Sequence, residues 1–201
     1  MMGLWDLLTL KENELSLIQE SQRVDFQSPM EILLENFAQQ VAQIYGWKYI
    51  GPKCSTYTML FLDIKNSTRL ITENPSKATE IFKFLKLSLE VAYKYFNPDM
   101  FKLVGDGILF LLDDWIYTIF DKEVLKELYE AIKKEIKSQG IPSIDFRIVG
   151  GYGELYCIEF QTQSGSLKEC IGFPMSCLVK RSKRVDKHEW FDKLTPEKCN
   201  F

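Results

Sequence analysis

Histidine is almost missing from this chain of 201 residues: His188 stands alone. Histidine-rich metal sites and Ser-His or Cys-His nucleophilic pairs therefore have little to draw on. Cysteine occurs five times, at Cys54, Cys157, Cys170, Cys177 and Cys199, an odd count with no Cys-x-x-Cys spacing. Neither a disulfide framework nor a zinc ribbon is indicated, and the expectation is free thiols in a reducing cytoplasm. No apolar run reaches the roughly 18 residues that a membrane span needs. The start, Met1-Met2-Gly3-Leu4-Trp5-Asp6, carries no basic leader of the secretory kind. An excess of positive charge is missing too. Twenty-five Lys+Arg against 28 Asp+Glu leave a net charge of −3, which argues against a sequence-blind nucleic-acid binder. There is no internal repeat and no low-complexity tract.

With 46% hydrophobic residues the chain can bury one substantial core. Residues 4–20 carry a loose helical stripe (Leu4, Leu7, Leu8, Leu15, Ile18). A stronger helix is predicted over 28–45: Ser28 and Glu31 form a capping box, Pro29 takes the first helical position, and Leu33, Phe37, Val41 and Ile44 recur on one face. Residues 1–55 read as an N-terminal helical extension, joined through Gly51-Pro52 to a domain over 56–201. That domain opens with a strand at 57–63 and a short helix from Asn66-Ser67-Thr68, broken at Asn74-Pro75. A helix from Lys77 to Phe96 follows, stopped by Asn97-Pro98-Asp99. Two apolar runs joined by Gly105-Asp106-Gly107 predict a tight hairpin with an Asp-Gly turn. Residues 114–138 read as a helix with Leu125, Leu128, Ile132 and Ile136 inward. Residues 144–149 and 153–160 read as strands with a glycine-rich turn between them, 161–166 as a polar loop, and 172–185 as a helix. The order is that of an α+β domain of ferredoxin-like or palm-like type, an antiparallel-rich sheet flanked by helices.

Chemistry concentrates at two aspartates. Asp63 ends an apolar strand just before a helix start, where backbone N–H groups and the helix dipole favour an anion. Asp106 lies in the hairpin turn. On neighbouring strands the two carboxylates could converge on a pair of divalent cations. Taken singly, Asp63 also serves as a strand-end cap, and Asp-Gly is an ordinary turn.

These stretches resemble the class III nucleotidyl cyclases. Phe61-Leu62-Asp63-Ile64-Lys65-Asn66-Ser67-Thr68 is similar to their first metal motif, and Lys102-Leu103-Val104-Gly105-Asp106-Gly107 to their second. Phe146-Arg147-Ile148-Val149-Gly150-Gly151-Tyr152-Gly153-Glu154-Leu155 resembles their Arg-Ile-Gly-Ile-His-x-Gly-Glu-Val strand, with Gly151 where histidine is frequent. Residues 171–181 fall where the family carries Gly-x-x-Val-Asn-x-Ala-Ala-Arg, and match it in part. The resemblance spans roughly residues 57–185, in the family's order.

What the resemblance implies is conversion of a nucleoside triphosphate to a 3′,5′-cyclic nucleotide and pyrophosphate, with two Mg²⁺ or Mn²⁺ ions as cofactors. Asp63 and Asp106 would be the metal ligands, with the Ile64 carbonyl a third. The amides of Lys65, Asn66, Ser67 and Thr68 would face the phosphates. Family sites lie between the chains of a head-to-tail homodimer, so Lys102 and Glu169, at the base-reading positions, would serve the site opposite to that of their own Asp106. Ser176 stands where asparagine orients the ribose. Lys180 stands where arginine stabilises the transition state, with Arg181 beside it, and a lysine lacks the bidentate fork. Lys102 leans toward adenine. A compact cyclase domain with a changed last motif also resembles the pyrimidine cyclases of bacterial Pycsar anti-phage systems, which make cyclic UMP or cyclic CMP. The alternative is a degenerate cyclase-fold module that binds nucleotide or a partner without turnover. A diguanylate cyclase is disfavoured, since its Gly-Gly-Asp/Glu-Glu-Phe motif is missing. The expected setting is the cytoplasm, without nucleic acid or membrane.

Overall fold

The computed structural model describes residues 29–112, 121–141, 144–195 and 199. The helix predicted over 4–20, the Ser28 cap and residues 114–120 lie outside them. In chain order the elements are α1 (Pro29–Tyr45), β1 (Lys48–Ile64), α2 (Ser67–Glu73), α3 (Lys77–Phe96), β2 (Met100–Val104) and β3 (Gly107–Leu112). Then come α4 (Lys122–Ser138), β4 (Phe146–Thr162), β5 (Gly165–Ile171), α5 (Phe173–Ser182) and β6 (His188–Lys193). This is the expected α+β architecture, an antiparallel-rich sheet flanked by helices. The chain divides into two units, one taking in the chain up to Lys53 with Tyr156–Cys170, the other Cys54–Leu155 with Ile171 onward.

In the larger unit the strand order is β2-β3-β1-β4, with β6 parallel along β4. Alternate residues of three strands (Leu60, Leu62 and Ile64; Ile108, Phe110 and Leu112; Phe146 and Ile148) share one core with two helices. From α3 come Ile81, Phe84, Leu85, Val91 and Ala92, and from α4 Leu125, Leu128, Ile132 and Ile136. The period of 3.6 in both helices and of 2 in the strands makes this possible. The intervening strand residues Met59, Phe61, Leu109, Leu111 and Val149 are equally buried. Hence β1 and β3 read as continuous apolar runs rather than as alternating ones. Asp121 caps α4 by accepting from the Glu123 and Val124 amides, at 2.8 and 3.0 Å. Asn97, at φ 42, ends α3.

In the smaller unit α1 forms where predicted, and most of its expected stripe turns inward: Leu33 is buried and Val41 packs on the cluster of Ala38, Ala42, Ile158 and Phe160, while Ile44 is exposed and Leu34 is buried in addition. Strand β5 pairs with β4 here, overlapping the end of the polar loop expected at 161–166 and taking in residues 167–171, which the sequence left unassigned.

Gly51-Pro52, read as the joint of the N-terminal extension, lies within strand: β1 begins at Lys48 and passes through Gly51. Further expectations are corrected. The glycine-rich turn predicted at 150–152 is strand. A Cβ on Gly151 would lie 2.5 Å from the Phe191 carbonyl oxygen, and one on Gly150 2.6 Å from the Trp190 ring, so bare backbone is what lets β6 pack along β4. Strand β6 itself comes from a stretch too polar to assign from sequence. The cysteines are not all free thiols: Cys157 is bonded to Cys170 and Cys177 to Cys199, while Cys54 is exposed outside both bridges. With four of the five cysteines paired, free thiols no longer speak for a reducing compartment.

Gly151 is therefore a packing requirement. Gly151→Ala should lower stability by about 1–3 kcal/mol, read as a reduced denaturant midpoint with an unchanged slope.

Candidate active site at the β1 and β3 strand ends

The register decides where the carboxylates stand. Leu62 pairs with Ile108 and Phe61 with Leu109, so continuation of the ladder sets Asp63 opposite Gly107, with Asp106 one residue further on. Val104 pairs with Gly107, which leaves Gly105-Asp106, not Asp106-Gly107, as the two turn residues. Gly105 adopts φ 63 at the first central position, the left-handed conformation a tight hairpin needs there. Gly107 belongs to β3 and serves a different end: a Cβ would meet the Leu62 carbonyl oxygen at 2.6 Å. The first glycine makes the turn and the second admits β1.

After Ile64, Asn66 at φ 55 turns the chain from β1 into α2, a conformation asparagine tolerates better than most residues. Buried Ser67 and exposed Thr68 then line a cavity of about 360 Å³ together with Ile71, Ile81, Gly105 and Asp106. The helix start and the Asp106 turn thus share one cleft. The Ile64 side chain is in the core, so only its carbonyl is left to serve a ligand.

Asp63 is held by a residue the sequence reading did not single out. Arg147 of β4 donates to Asp63 Oδ2 through Nε at 2.8 Å and through Nη2 at 2.7 Å, and the two side chains are only 15% and 13% exposed. A charged residue between the apolar Phe146 and Ile148 was the available signal. Ser182 Oγ lies 3.5 Å from the same oxygen while donating to the Val179 carbonyl at 2.8 Å. The last turn of α5, which carries Lys180 and Arg181, therefore ends beside Asp63.

Other predicted residues take different places. Lys65 sets its ammonium 2.7 Å from Asp186 and 3.1 Å from Asp145, and its amide donates to the Asp145 carbonyl at 2.9 Å. The hydrogen bond to Asp186 foremost raises its pKa above the ordinary lysine value, against the opposing effect of burial. Its amide is so engaged, which leaves the amides of Asn66, Ser67 and Thr68 from the stretch expected to face an anion. Lys102 is half-buried on β2 opposite Leu109. Ser176 is half-buried and Lys180 exposed on α5, and the Arg181 guanidinium lies over the Phe191 ring, 4.4 Å from its centre. Glu169 lies on β5, in the other unit. His188 opens β6 with its ring 5.5 Å from that of Tyr129.

Among the described residues no group of three or more His, Cys, Asp or Glu side chains is placed to hold a metal unaided. Two carboxylates and a carbonyl are hard oxygen donors, a set that fits Mg²⁺ or Mn²⁺ when phosphate oxygens complete the coordination.

The fold is that of the class III nucleotidyl cyclases. Similar structures include the adenylyl cyclase CyaB from P. aeruginosa, at 18% identity over 67% of this chain and 74% of that one, with a TM-score of 0.52. A class III adenylyl cyclase-like ATP-binding protein from Pseudomonas aeruginosa matches at 15% identity over 74% of this chain and 36% of its own, with a TM-score of 0.52. A bacterial light-regulated adenylyl cyclase matches at 12% identity over 84% and 54%, with a TM-score of 0.50. No protein-family model and no curated protein matches the sequence.

Burial lowers the Lys102 pKa from its ordinary 10.5. Between the lowered and the ordinary value the folded chain binds fewer protons than the unfolded one, so this group makes stability rise with pH through that window. The stability of the parent relative to Lys102→Met should therefore increase as the pH rises toward the ordinary lysine value of 10.5, as measured by denaturant unfolding at each pH.

Proposed function

We propose that the chain is a metal-dependent nucleotidyl cyclase, converting a nucleoside triphosphate to a 3′,5′-cyclic nucleotide and pyrophosphate. The observation that carries this reading is the placement of Asp63 and Asp106 at adjoining ends of paired strands, with Ser67 and Thr68 on the cleft beside Asp106. Asp63, Asp106 and the Ile64 carbonyl would hold two Mg²⁺ or Mn²⁺ ions. Bound there, the ions would supply acidification of the ribose 3′-hydroxyl and neutralisation of the triphosphate. Asn66, Ser67 and Thr68 face the phosphates, and Arg147 adds a guanidinium within reach of them.

Catalytic positive charge falls to Lys180, since Arg181 is stacked on Phe191. In a head-to-tail homodimer each site takes Lys102, Ser176 and Lys180 from the chain opposite to its aspartates. For the base, Lys102 and the similar adenylyl cyclase structures favour adenine. The changed last motif favours UTP or CTP, and with it a role in bacterial anti-phage signalling. Among the described residues no helix is long and apolar enough to cross a membrane.

One second reading has a specific support. Lys180 stands in place of an arginine, and a similar structure is named as an ATP-binding protein of the cyclase-like class. On that reading the chain binds nucleotide without turnover.

Incubation with ATP, GTP, CTP or UTP plus Mn²⁺, with mass identification of products, separates the two. The expected result is one cyclic nucleotide, lost in Asp63→Ala and Asp106→Ala and reduced about 10²–10³-fold in Lys180→Ala. Metal-dependent binding with no cyclic product from any of the four supports the second reading. Composite sites predict a further result: mixing Asp106→Ala with Lys180→Ala chains should restore activity through the one site of the heterodimer that carries neither change. Heterodimers that form but stay inactive would rule that arrangement out.

A further inference from the structure

We infer that Arg147 is a positioning residue that latches Asp63 against a bare cation, so that divalent cation and triphosphate enter the site as a coupled pair. The inference rests on the assignment of Asp63 as a cation ligand made above. Both guanidinium bonds end on one oxygen, Oδ2, at 2.8 and 2.7 Å, and Ser182 Oγ approaches that same oxygen at 3.5 Å. Among the described residues Oδ1 accepts no hydrogen bond. The half-buried carboxylate is thus neutralised before any cation arrives, in a place where water and salt screen little.

The charge balance follows. Asp63 and Asp106 together offer two negative charges, and Arg147 returns one of them. A dication that approaches without phosphate meets a weakened field and a guanidinium that repels it. A triphosphate removes both obstacles, because its oxygens accept the cation and also the guanidinium fork, which suits phosphate geometry better than an ammonium does. Each ligand then tightens the other by the same factor, as linkage requires.

A purely structural ion pair behaves differently. Its removal would loosen the site and leave affinity for bare cation unchanged or weaker, whereas removal of a latch strengthens it. The test is Mn²⁺ binding to the full chain, followed by electron paramagnetic resonance, with and without the α,β-methylene triphosphates of all four bases. In the parent, one of the analogues should tighten Mn²⁺ binding about 10-fold or more. Arg147→Gln should bind bare Mn²⁺ about 10-fold more tightly than the parent, with the coupling to the analogue reduced to the same extent. Arg147→Lys, which keeps the charge, should restore weak binding of bare Mn²⁺. Asp63→Asn should lose the tight site in every arrangement.

If Arg147→Gln binds bare Mn²⁺ no more tightly than the parent, while the analogue still tightens an Asp63-dependent site, the latch is wrong and the cation assignment stands. If no Asp63-dependent binding occurs with or without any analogue, the assignment fails and the latch with it. Should the glutamine variant not fold, the parent decides: bare Mn²⁺ held as tightly as in the presence of the analogue overturns the latch.

Discussion

The hydrogen-bonded register between β1 and β3 is the constraint on which everything else rests. Side chains alternate along a strand with period 2, so a slip of one residue would turn Asp63 to the other face and exchange the two sets of buried residues. Both faces of these strands are apolar and buried, with Leu60 and Leu62 on one and Met59 and Phe61 on the other. Alternation therefore gives little protection against a slip. Gly105 and Gly107 supply it instead. The tight turn at Gly105-Asp106 sets β2 against β3, and the bare backbone at Gly107 accepts the Leu62 carbonyl where any side chain would collide. Asp106 inherits its position from two glycines whose own roles are mechanical.

Polar groups gather where that apolar sheet ends. Asp63 with Arg147, and Lys65 with Asp145 and Asp186, occupy the same strand terminus two residues apart and are treated differently by their surroundings. Lys65 bridges two exposed carboxylates, an arrangement that holds the end of β1 near the start of β4 and adds little stability, since exposed pairs are screened by water. Arg147 and Asp63 are shielded, so their attraction is stronger and the loss of either partner costs more.

Much of the fold was legible where one signal dominated. Lys77–Phe96 shows an apolar stripe at helical spacing between two Asn-Pro breaks, and α3 has those bounds. The stripe of α4, Leu125 to Ile136, is buried throughout. The failures share a cause. Gly150-Gly151 carries local turn propensity, and long-range pairing overrode it. At Gly151 the deciding neighbour, Phe191, lies forty residues away in sequence. Strand β6 depends on a partner equally distant, and the two disulfides join cysteines 13 and 22 residues apart, so no local pattern announces them. On α1, Phe37 and Ala38 both allow a buried stripe, and only the strand surface beneath selects the alanine face.

The candidate site divides along the same line. Residue order alone supplied Asp63, Asp106 and the Ser67-Thr68 helix start, because strand ends, glycine turns and helix caps are written in a few consecutive residues. Tertiary structure alone decided that Arg147 and Ser182 face Asp63, that Lys65 is spent on Asp145 and Asp186, and that Arg181 lies on Phe191. The physical reason is reach. Backbone preferences act over one or two turns of chain, whereas the partner of a charge is set by which strands and helices the folded sheet brings within about 3 Å.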